Sequence, residues 1–167
     1  MSGKRYYTGV GSRNTPVRVL QQMTKIATVL RERGFILRSG GAGGADSSFE
    51  NGAGQLKEIY IPWNGFYGRH VNRGTIIVPK LDFELASRFH PAWDRCSPGA
   101  KKIHARNCNQ VLGLYPLKSP KSRFLICWTA YGLAQGGTGQ AIRLAEKFYV
   151  PVYNLATMTE QEVLECF

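Results

Sequence analysis

The sequence predicts an α/β protein in which helices cover both faces of a mostly parallel sheet of about five strands. Short apolar runs alternate with segments of helical period along the chain. Because parallel neighbours are joined by crossover connections, this alternation favours a parallel sheet with helices as the crossovers. A chain of 167 residues is long enough for one domain with its own core. We therefore expect a single domain over residues 1–167, folded as a Rossmann-like three-layer sandwich.

Three strands and two helices are predicted in the first part of the chain. Apolar runs at 6–10, 35–37 and 58–61 are typical of short buried strands. Between them, apolar residues recur at helical spacing over 19–30, and a short helix is expected over 45–51. This alternating order is the one that a parallel sheet requires.

The middle of the chain has a different composition. Residues 63–122 are rich in basic and aromatic side chains, and we interpret them as an insertion into the sheet-forming sequence. Their first part, 63–80, lacks a helical period and predicts a loop with one short strand. The remaining elements are expected in this order: helices at 83–90 and 99–112, a strand at 124–128, a helix at 140–148, a strand at 150–155 and a helix at 159–166.

Charge and cysteine content narrow the class of function. The net charge of +11 favours a polyanionic partner such as a nucleotide or nucleic acid, although a basic surface can also serve solubility alone. The four cysteines are scattered without a C-x-x-C pair, which indicates reduced thiols. No stretch has the apolar character of a signal peptide or a membrane span. We expect a cytoplasmic protein that does not bind membranes.

Three glycine-containing segments follow predicted strands: GVGSRNT at 9–15, SGGAGGAD at 39–46 and TAYGLAQGGTGQ at 129–140. In a parallel sheet all three lie at one edge, where backbone N–H groups and helix N-termini attract anions. A single such loop is as often a packing device as a phosphate site, but three together favour a ligand that carries phosphate. The candidate phosphate-binding residues are Gly11, Ser12, Arg13, Ser39, Gly40, Gly41, Gly43, Gly44, Asp46, Gly136, Gly137, Thr138 and Gly139.

Three carboxylates are candidates for catalysis if the protein is an enzyme. Asp46 stands at the start of the second predicted helix, where it either caps the helix or binds a ribose hydroxyl or a base edge. Glu50 lies one turn later, and Glu146 lies on the helix predicted at 140–148. Such carboxylates can stabilise an oxocarbenium-like centre or activate water in an N-glycosidase.

Four of these motifs resemble the SLOG superfamily of Rossmann-like proteins. They are GSRNTP after the first strand, RSGGAGGAD after the second, IYIPW in the third and GGTGQA near the end. The superfamily includes DprA/Smf DNA-processing proteins, LOG-type (lysine-decarboxylase-like) nucleotide phosphoribohydrolases, molybdenum-cofactor carriers and YspA-like domains. The pairing of GSR with SGGAGGAD is most similar to the DprA/Smf and YspA-like branches. The resemblance covers about residues 5–62 and 123–155.

The resemblance implies a DprA-like binding module more readily than a hydrolase. The phosphoribohydrolase pattern is Gly-Gly-x-Gly-Thr-x-x-Glu, in which the glutamate serves cleavage of the glycosidic bond. Gly136, Gly137 and Gly139 match this pattern, whereas Gln140 and Arg143 replace its threonine and its glutamate.

Cations and aromatic rings alternate in the middle segment, as in proteins that stack the bases of a single strand and pair its phosphates with lysine or arginine. The candidate nucleic-acid or base contacts are Trp63, Arg69, Arg73, His104, Arg106 and Asn107. The alternative is that the rings belong to the core and the charges to a solvated face. His90 and His104 with Asp94 lack the spacing of a metal motif, so no metal site is predicted.

The sequence thus supports one leading hypothesis and two alternatives. The leading hypothesis is a DprA-like module that binds a nucleotide or a single-stranded nucleic acid through glycine-rich phosphate loops, without a cofactor. The first alternative is a nucleotide N-glycosidase or phosphoribohydrolase that acts on a nucleoside monophosphate or a related nucleotide. The second is a homo-oligomeric nucleotide sensor that acts through a partner protein.

Overall fold

Six strands form a single sheet in the computed structural model, which describes residues 3–114 and 119–167. The strands are β1 (Arg5–Gly9), β2 (Phe35–Ser39), β3 (Lys57–Tyr60), β4 (Ile76–Ile77), β5 (Leu125–Cys127) and β6 (Val152–Asn154). Their order across the sheet is β4-β3-β2-β1-β5-β6, and every neighbouring pair is parallel. The predicted parallel sheet is confirmed, with six strands rather than about five.

Helices cover both faces of this sheet and complete the three layers. The helices of the described residues are α1 (Val17–Glu32), α2 (Ala45–Ala53), α3 (Phe83–Phe89), α4 (Pro98–Leu112), α5 (Gly136–Lys147) and α6 (Glu160–Leu164). α1, α2 and α6 pack around Met23 and Phe49 on one face, and α3, α4 and α5 pack around Val111 and Leu144 on the other. The expected Rossmann-like sandwich is confirmed. None of the described helices is long and apolar enough to cross a membrane.

The chain changes direction across the sheet next to β1. It first builds β1, β2 and β3 outward toward β4, and later places β5 on the other side of β1. The N–H of Val10 donates to the carbonyl of Ile126 at 3.1 Å, so the ends of β1 and β5 lie side by side. Open parallel sheets bind ligands beyond the carboxyl ends of their strands at such a switch point. The topology therefore points to the edge of the sheet between β1 and β5.

The middle segment, 63–122, contributes to the sandwich itself. It supplies the edge strand β4 and the helices α3 and α4. α4 begins where the sequence predicts, because the Ser97 hydroxyl accepts a hydrogen bond from the Ala100 N–H (3.2 Å) and Pro98 takes the first helical position. α4 contacts β1, β2, β3 and α5, so it forms one wall at the carboxyl edge of the sheet.

α5 begins four residues earlier than the sequence predicts. The helix expected at 140–148 spans Gly136–Lys147, since the letters GGTG form its first turn. The Gly139 N–H donates to the Gln135 carbonyl at 2.8 Å, which is the first hydrogen bond of the helix. Three glycines lower the helix propensity of this turn and conceal it in the sequence. The third glycine-containing segment therefore ends as a helix N-terminus rather than as a loop.

Candidate phosphate-binding cleft

A cleft of about 550 Å³ opens at the carboxyl edge of the sheet, beside the switch point between β1 and β5. All three glycine-containing segments contribute to its walls, and α4 lies along the remaining side. The predicted site residues that line the cleft are Gly11, Ser12, Arg13, Gly43, Asp46, His104, Arg106, Asn107, Gly136, Gly137 and Thr138. Residues that are distant in sequence are thus brought together around one space.

Other candidate residues shape the walls of the cleft without lining it. The Ser39 hydroxyl donates to a backbone carbonyl at the end of β1 (2.7 Å), which links β1 to β2. A Cβ on Gly40 would collide with side chains of α4, and one on Gly139 would lie 2.5 Å from the backbone of the preceding loop. Gly41 and Gly44 have φ angles of +71° and +72°, which glycine adopts without strain. These glycines serve the geometry of the turns.

Of the helices that begin at or near the cleft, α1, α2 and α5 have no side-chain cap among the described residues, whereas α4, whose Ala100 lines the cleft, is capped by Ser97. No N-cap side chain bonds the first turn of α1, α2 or α5. The N-cap side chains of α3, α4 and α6 each accept such a bond. An uncapped helix start leaves N–H groups without a partner at the positive end of the helix dipole. At α2 and α5 these donors border the cleft, where an anion can accept from them.

Gly43 and Gly137 line the cleft although the fold does not require glycine at either position. Neither has a positive φ. A Cβ on Gly43 would approach only Tyr67, at 3.8 Å, and one on Gly137 only Asn107, at 3.9 Å, among the described residues within 4 Å. Glycine also disfavours the helical turn at 137 by about 1 kcal/mol relative to alanine. Bare backbone at these two points suits the close approach of a ligand.

Asp46 does not cap α2. Its Oδ2 instead accepts a hydrogen bond from the Ala42 N–H (3.1 Å) in the loop before the helix. Burial raises the pKa of this carboxyl, and the positive charge of Arg106 opposes that rise. Asp46 therefore fixes the shape of the glycine-rich loop, while its position in the cleft lets it accept a hydrogen bond from a ligand hydroxyl or base edge.

Arg106 supports the floor of the cleft from α4. Its guanidinium donates to the carbonyls of Gly40 and Tyr60, the second at 2.7 Å, and its Nε donates to the Asn107 side chain at 3.1 Å. Only 3% of the residue is exposed, and burial lowers its pKa to about 10. The side chain therefore carries its charge at neutral pH. Asn107 in turn donates to the carbonyl of Gly137 at 3.3 Å, which joins α4 to the start of α5.

His104 lines the cleft and packs against His90, with 4.3 Å between the ring centroids. Its Nδ1 is buried and has no hydrogen-bond partner among the described residues. Burial, followed by the positive charges of His90, Arg143 and Arg106, lowers the pKa of His104 to about 4. The imidazole is therefore neutral at pH 7.

We expect acidification to destabilise the fold through His104. Because the folded-state pKa lies below that of a free histidine, the unfolded chain binds the extra proton first, and stability falls as the pH drops from about 6.5 toward 4. The contribution is about 1–2 kcal/mol once partial exposure is allowed for. Urea unfolding of the wild type and of His104→Asn between about pH 6.5 and pH 4 measures this contribution to stability. A chelator in both samples keeps metal ions from binding the histidine. Parallel pH profiles for the two proteins would contradict the assignment.

Two of the three candidate catalytic carboxylates lie away from the cleft walls. Glu50 is buried, with Lys57 Nζ 3.1 Å from Oε2 and Arg69 Nη2 2.8 Å from Oε1. Glu146 is exposed in the last turns of α5. Asp46 is the one carboxylate among the described residues that lines the cleft. The ion pairs also engage Arg69, which was a candidate for nucleic-acid contact.

The remaining candidates of the middle segment lie near the rim. Trp63 is 38% exposed and packs edge-on against Phe66, which lines the cleft (5.3 Å between centroids). Arg73 is exposed in the turn before β4. Neither Trp63 nor Arg73 is among the described residues that line the cleft.

The positions that depart from the phosphoribohydrolase pattern connect α5 to α3. Gln140 donates to the carbonyl of Ala86 at 2.9 Å, and Arg143 donates to the carbonyls of Phe89 (2.8 Å) and Ala134 (3.1 Å). Where the pattern has threonine and glutamate, this chain therefore has side chains that hold two helices together.

Some residues that line the cleft were not singled out as site candidates from the sequence. They are Val10, Asn14, Ala42, Phe66, Tyr67, Ala100, Ile103, Gln110, Gln135 and Ala141. Tyr67 is notable because it is 60% exposed and has a φ of +50°, an uncommon conformation for a tyrosine. Its aromatic neighbours in the sequence were a signal, but only the tertiary structure shows which ring reaches the cleft.

The fold resembles two solved structures. One is DNA processing protein A from Helicobacter pylori, described for its single-stranded DNA binding mode, with a TM-score of 0.58 and 17% identity over 90% of this chain and 64% of that protein. This chain thus spans less than two thirds of the length of that protein. The other is the Moco carrier protein of Chlamydomonas rheinhardtii, with a TM-score of 0.56 and 19% identity over 98% of this chain and 83% of that one.

Comparisons of sequence alone add no relative. No protein-family model matches the chain, and no curated protein does either. At 17% and 19% identity, the two structural likenesses establish that the chain shares a Rossmann-like fold with these proteins.

Proposed function

We propose that this protein is a binding module that holds the phosphates of a nucleotide or of a single-stranded nucleic acid in the cleft. The observation that carries the proposal is the convergence of the uncapped starts of α2 and α5 on one cleft at the switch point of the sheet. Phosphate oxygens satisfy such N–H groups and complement the helix dipoles. The bare backbone at Gly43 and Gly137 lets them approach closely.

Charge around the cleft supports the same conclusion. Arg13 is exposed at the rim, and Arg106 places a buried positive charge below it. The whole chain carries +11, which attracts polyanions over a long range. Tyr67, exposed at the rim, offers a ring on which a base can stack. In this proposal the backbone N–H groups and the two arginines hold the phosphate, and the ring of Tyr67 at the rim stacks on the base.

Among polyanions, we favour a single strand of nucleic acid. The resemblance of the glycine motifs to the DprA/Smf branch of the SLOG superfamily supports this choice. So does the shared fold with a protein described for single-stranded DNA binding. A strand also makes use of the basic and aromatic residues outside the cleft, which a mononucleotide does not reach.

Binding and its salt dependence test the proposal directly. We would titrate labelled single-stranded DNA, single-stranded RNA and duplex DNA by fluorescence anisotropy, and AMP, ATP and inorganic phosphate by thermal shift. For a single strand neutralised at three phosphates, the slope of log K against log salt is expected to be about −2. Affinity that does not change with salt would contradict the nucleic-acid version. No thermal shift and no anisotropy change with any of these probes would overturn the whole proposal.

Alanine at Gly43 and Gly137 is expected to weaken binding without weakening the fold. The added methyl groups have room within the protein but occupy the space next to the backbone donors. The double variant should lose about 10- to 100-fold in affinity for the tightest of the probes above, equivalent to one lost charge-assisted bond. Its Tm should stay within about 2 °C of the wild type, because alanine favours the first turn of α5.

A matched control is Gly52→Ala, which lies in α2 away from the cleft. A Cβ there would collide with the backbone of α1 and lie 2.6 Å from Ala27 Cβ, so this variant should lose stability through overpacking. Its folded fraction should still bind with wild-type affinity. Equal loss of affinity in the control and in the double variant would show that the glycines act through the fold and would contradict the proposed contact.

The N-glycosidase alternative predicts a different outcome at the same cleft. Asp46 is placed to act on a bound nucleotide, but its Oδ2 is engaged by the Ala42 N–H. We expect no free base when a panel of nucleoside monophosphates is incubated with the protein and resolved by chromatography. If the wild type releases free base and Asp46→Asn does not, the protein is an N-glycosidase and the binding-module proposal is wrong.

A further inference from the structure

A cluster of two histidines and a cysteine lies next to the cleft, between α3 and α4. His90 follows α3, Cys96 ends the 3₁₀ turn at Trp93–Arg95, and His104 lies on α4. One potential ligand atom from each residue lies within 4.8 Å of the other two. The spacing of the two histidines and Asp94 in the sequence predicted no metal site. In the structure it is Cys96 that joins them.

We propose that His90, Cys96 and His104 bind a zinc-class divalent cation. Tetrahedral Zn²⁺, with bonds of about 2.0–2.1 Å to nitrogen and 2.3 Å to sulfur, places a nitrogen and a sulfur ligand about 3.6 Å apart and two nitrogen ligands about 3.3 Å apart. Cys96 Sγ lies 3.8 Å from both ring nitrogens of His90, which is close to the nitrogen–sulfur spacing. The three ligand atoms lie within 4.8 Å of one another, so binding requires the side chains to rotate until these separations close to the spacing that the ion sets. The fourth position is left to water.

The buried nitrogen of His104 points independently to a ligand. Its Nδ1 has no hydrogen-bond partner among the described residues, although buried ring nitrogens are normally bonded. A metal ion supplies the missing partner. In the facing imidazole of His90, Nδ1 accepts a hydrogen bond from the Ala92 N–H at 3.1 Å, so this nitrogen carries no proton. The metal ion replaces the Ala92 N–H as the partner of His90 Nδ1.

Charge selects the class of metal. Arg143 bonds the Phe89 carbonyl beside His90, and its positive charge opposes a second cation. The Cys96 thiol, which now donates to the Ala92 carbonyl (3.5 Å), releases its proton to solvent on binding and gives a thiolate that offsets the charge. Imidazole and thiolate ligands suit Zn²⁺ and Co²⁺, whereas Mg²⁺ and Ca²⁺ require oxygen.

The ion has a route from solvent and a structural consequence. Of the three ligands, His90 lines a second, more open hollow of about 750 Å³ beside α3, which gives the cluster a side that faces solvent. Binding ties the segment 90–96 to α4, whose residues form one wall of the cleft. The site does not depend on what the cleft binds, so its test is separate from that of the proposed function.

Cobalt and zinc binding to the purified, chelator-treated protein test the proposal. Co²⁺ is expected to bind at about one ion per chain and to give a thiolate charge-transfer band together with the visible spectrum of a tetrahedral site. Zn²⁺ at about 100-fold above its Kd should displace Co²⁺ and raise the Tm by roughly 5–10 °C. Mg²⁺ should do neither.

Variants assign the site to these residues. Cys96→Ser should lose the charge-transfer band and the Tm rise, and His90→Asn should lose the Tm rise, while both keep the metal-free Tm and far-UV circular dichroism of the wild type. Cys166→Ser and His70→Asn are matched controls at exposed positions and should behave as the wild type. An absence of stoichiometric Co²⁺ binding, or equal loss in Cys166→Ser, would overturn the proposal.

Discussion

Arg106→Ala is expected to lower the free energy of unfolding by about 3–5 kcal/mol, which corresponds to a fall in Tm of roughly 10 °C. The guanidinium is buried and donates to the carbonyls of Gly40 and Tyr60 at the ends of β2 and β3. Its removal leaves both acceptors without this donor and leaves the Asp46 carboxyl without the positive charge that offsets its burial. Thermal and urea unfolding followed by circular dichroism measure the loss.

Arg13→Ala provides the contrast within the same cleft. Arg13 is exposed at the rim, so its removal should leave the Tm within about 1 °C of the wild type and lower only the affinity for phosphate-bearing ligands. Arg106→Lys keeps the charge but cannot donate to two carbonyls as the guanidinium does. Its Tm should therefore lie between those of Arg106→Ala and Arg13→Ala. If Arg106→Ala unfolds at the wild-type Tm, its contacts to the strand ends do not stabilise the fold.

The predicted role of Arg106 shows where sequence reasoning reaches its limit. A basic residue in a segment rich in charges and rings predicts contact with nucleic acid, and Arg106 does line the cleft. Its burial depends on α4 crossing the ends of β2 and β3, a contact between residues more than 40 positions apart. A pattern read within a few residues cannot predict a contact between residues so far apart in the sequence. Cys96 is a different case: it lies only a few positions from His90 and His104, and the turns between α3 and α4 bring the three side chains together.

The sheet and the three glycine-containing segments were predictable because each depends on local patterning. Apolar runs, helical spacing and glycine after a strand are read within a window of a few residues. What the pattern could not separate is why each glycine is present. Gly41 and Gly44 serve a backbone turn with positive φ, Gly40 and Gly139 avoid a steric clash, and Gly43 and Gly137 have neither constraint. The three-dimensional contacts of each glycine make that distinction, and they select the positions at which substitution tests ligand binding.

Arg38→Met is expected to lower the free energy of unfolding by about 3–5 kcal/mol as well, because it removes the cation from a buried cluster around β2. Arg38 is wholly buried. Its guanidinium donates to Glu58 Oε2 (3.1 Å), to the Pro120 carbonyl (2.6 Å) and to the Ser119 hydroxyl (3.1 Å), and it stacks over the ring of Tyr6 at 3.7 Å. Methionine fills the space but leaves the Glu58 carboxylate without its partner in the sheet.

Two further variants separate the charge from the packing at Arg38. Adding Glu58→Gln to Arg38→Met removes the unpaired charge while keeping an acceptor for the Tyr60 hydroxyl (2.6 Å), and it should restore about 1–2 kcal/mol. Arg88→Met breaks an ion pair whose side chains are 65% and 81% exposed and should change stability by less than about 0.5 kcal/mol. If the double variant is no more stable than Arg38→Met, the cost lies in the lost bonds to 119–120 rather than in the buried charge.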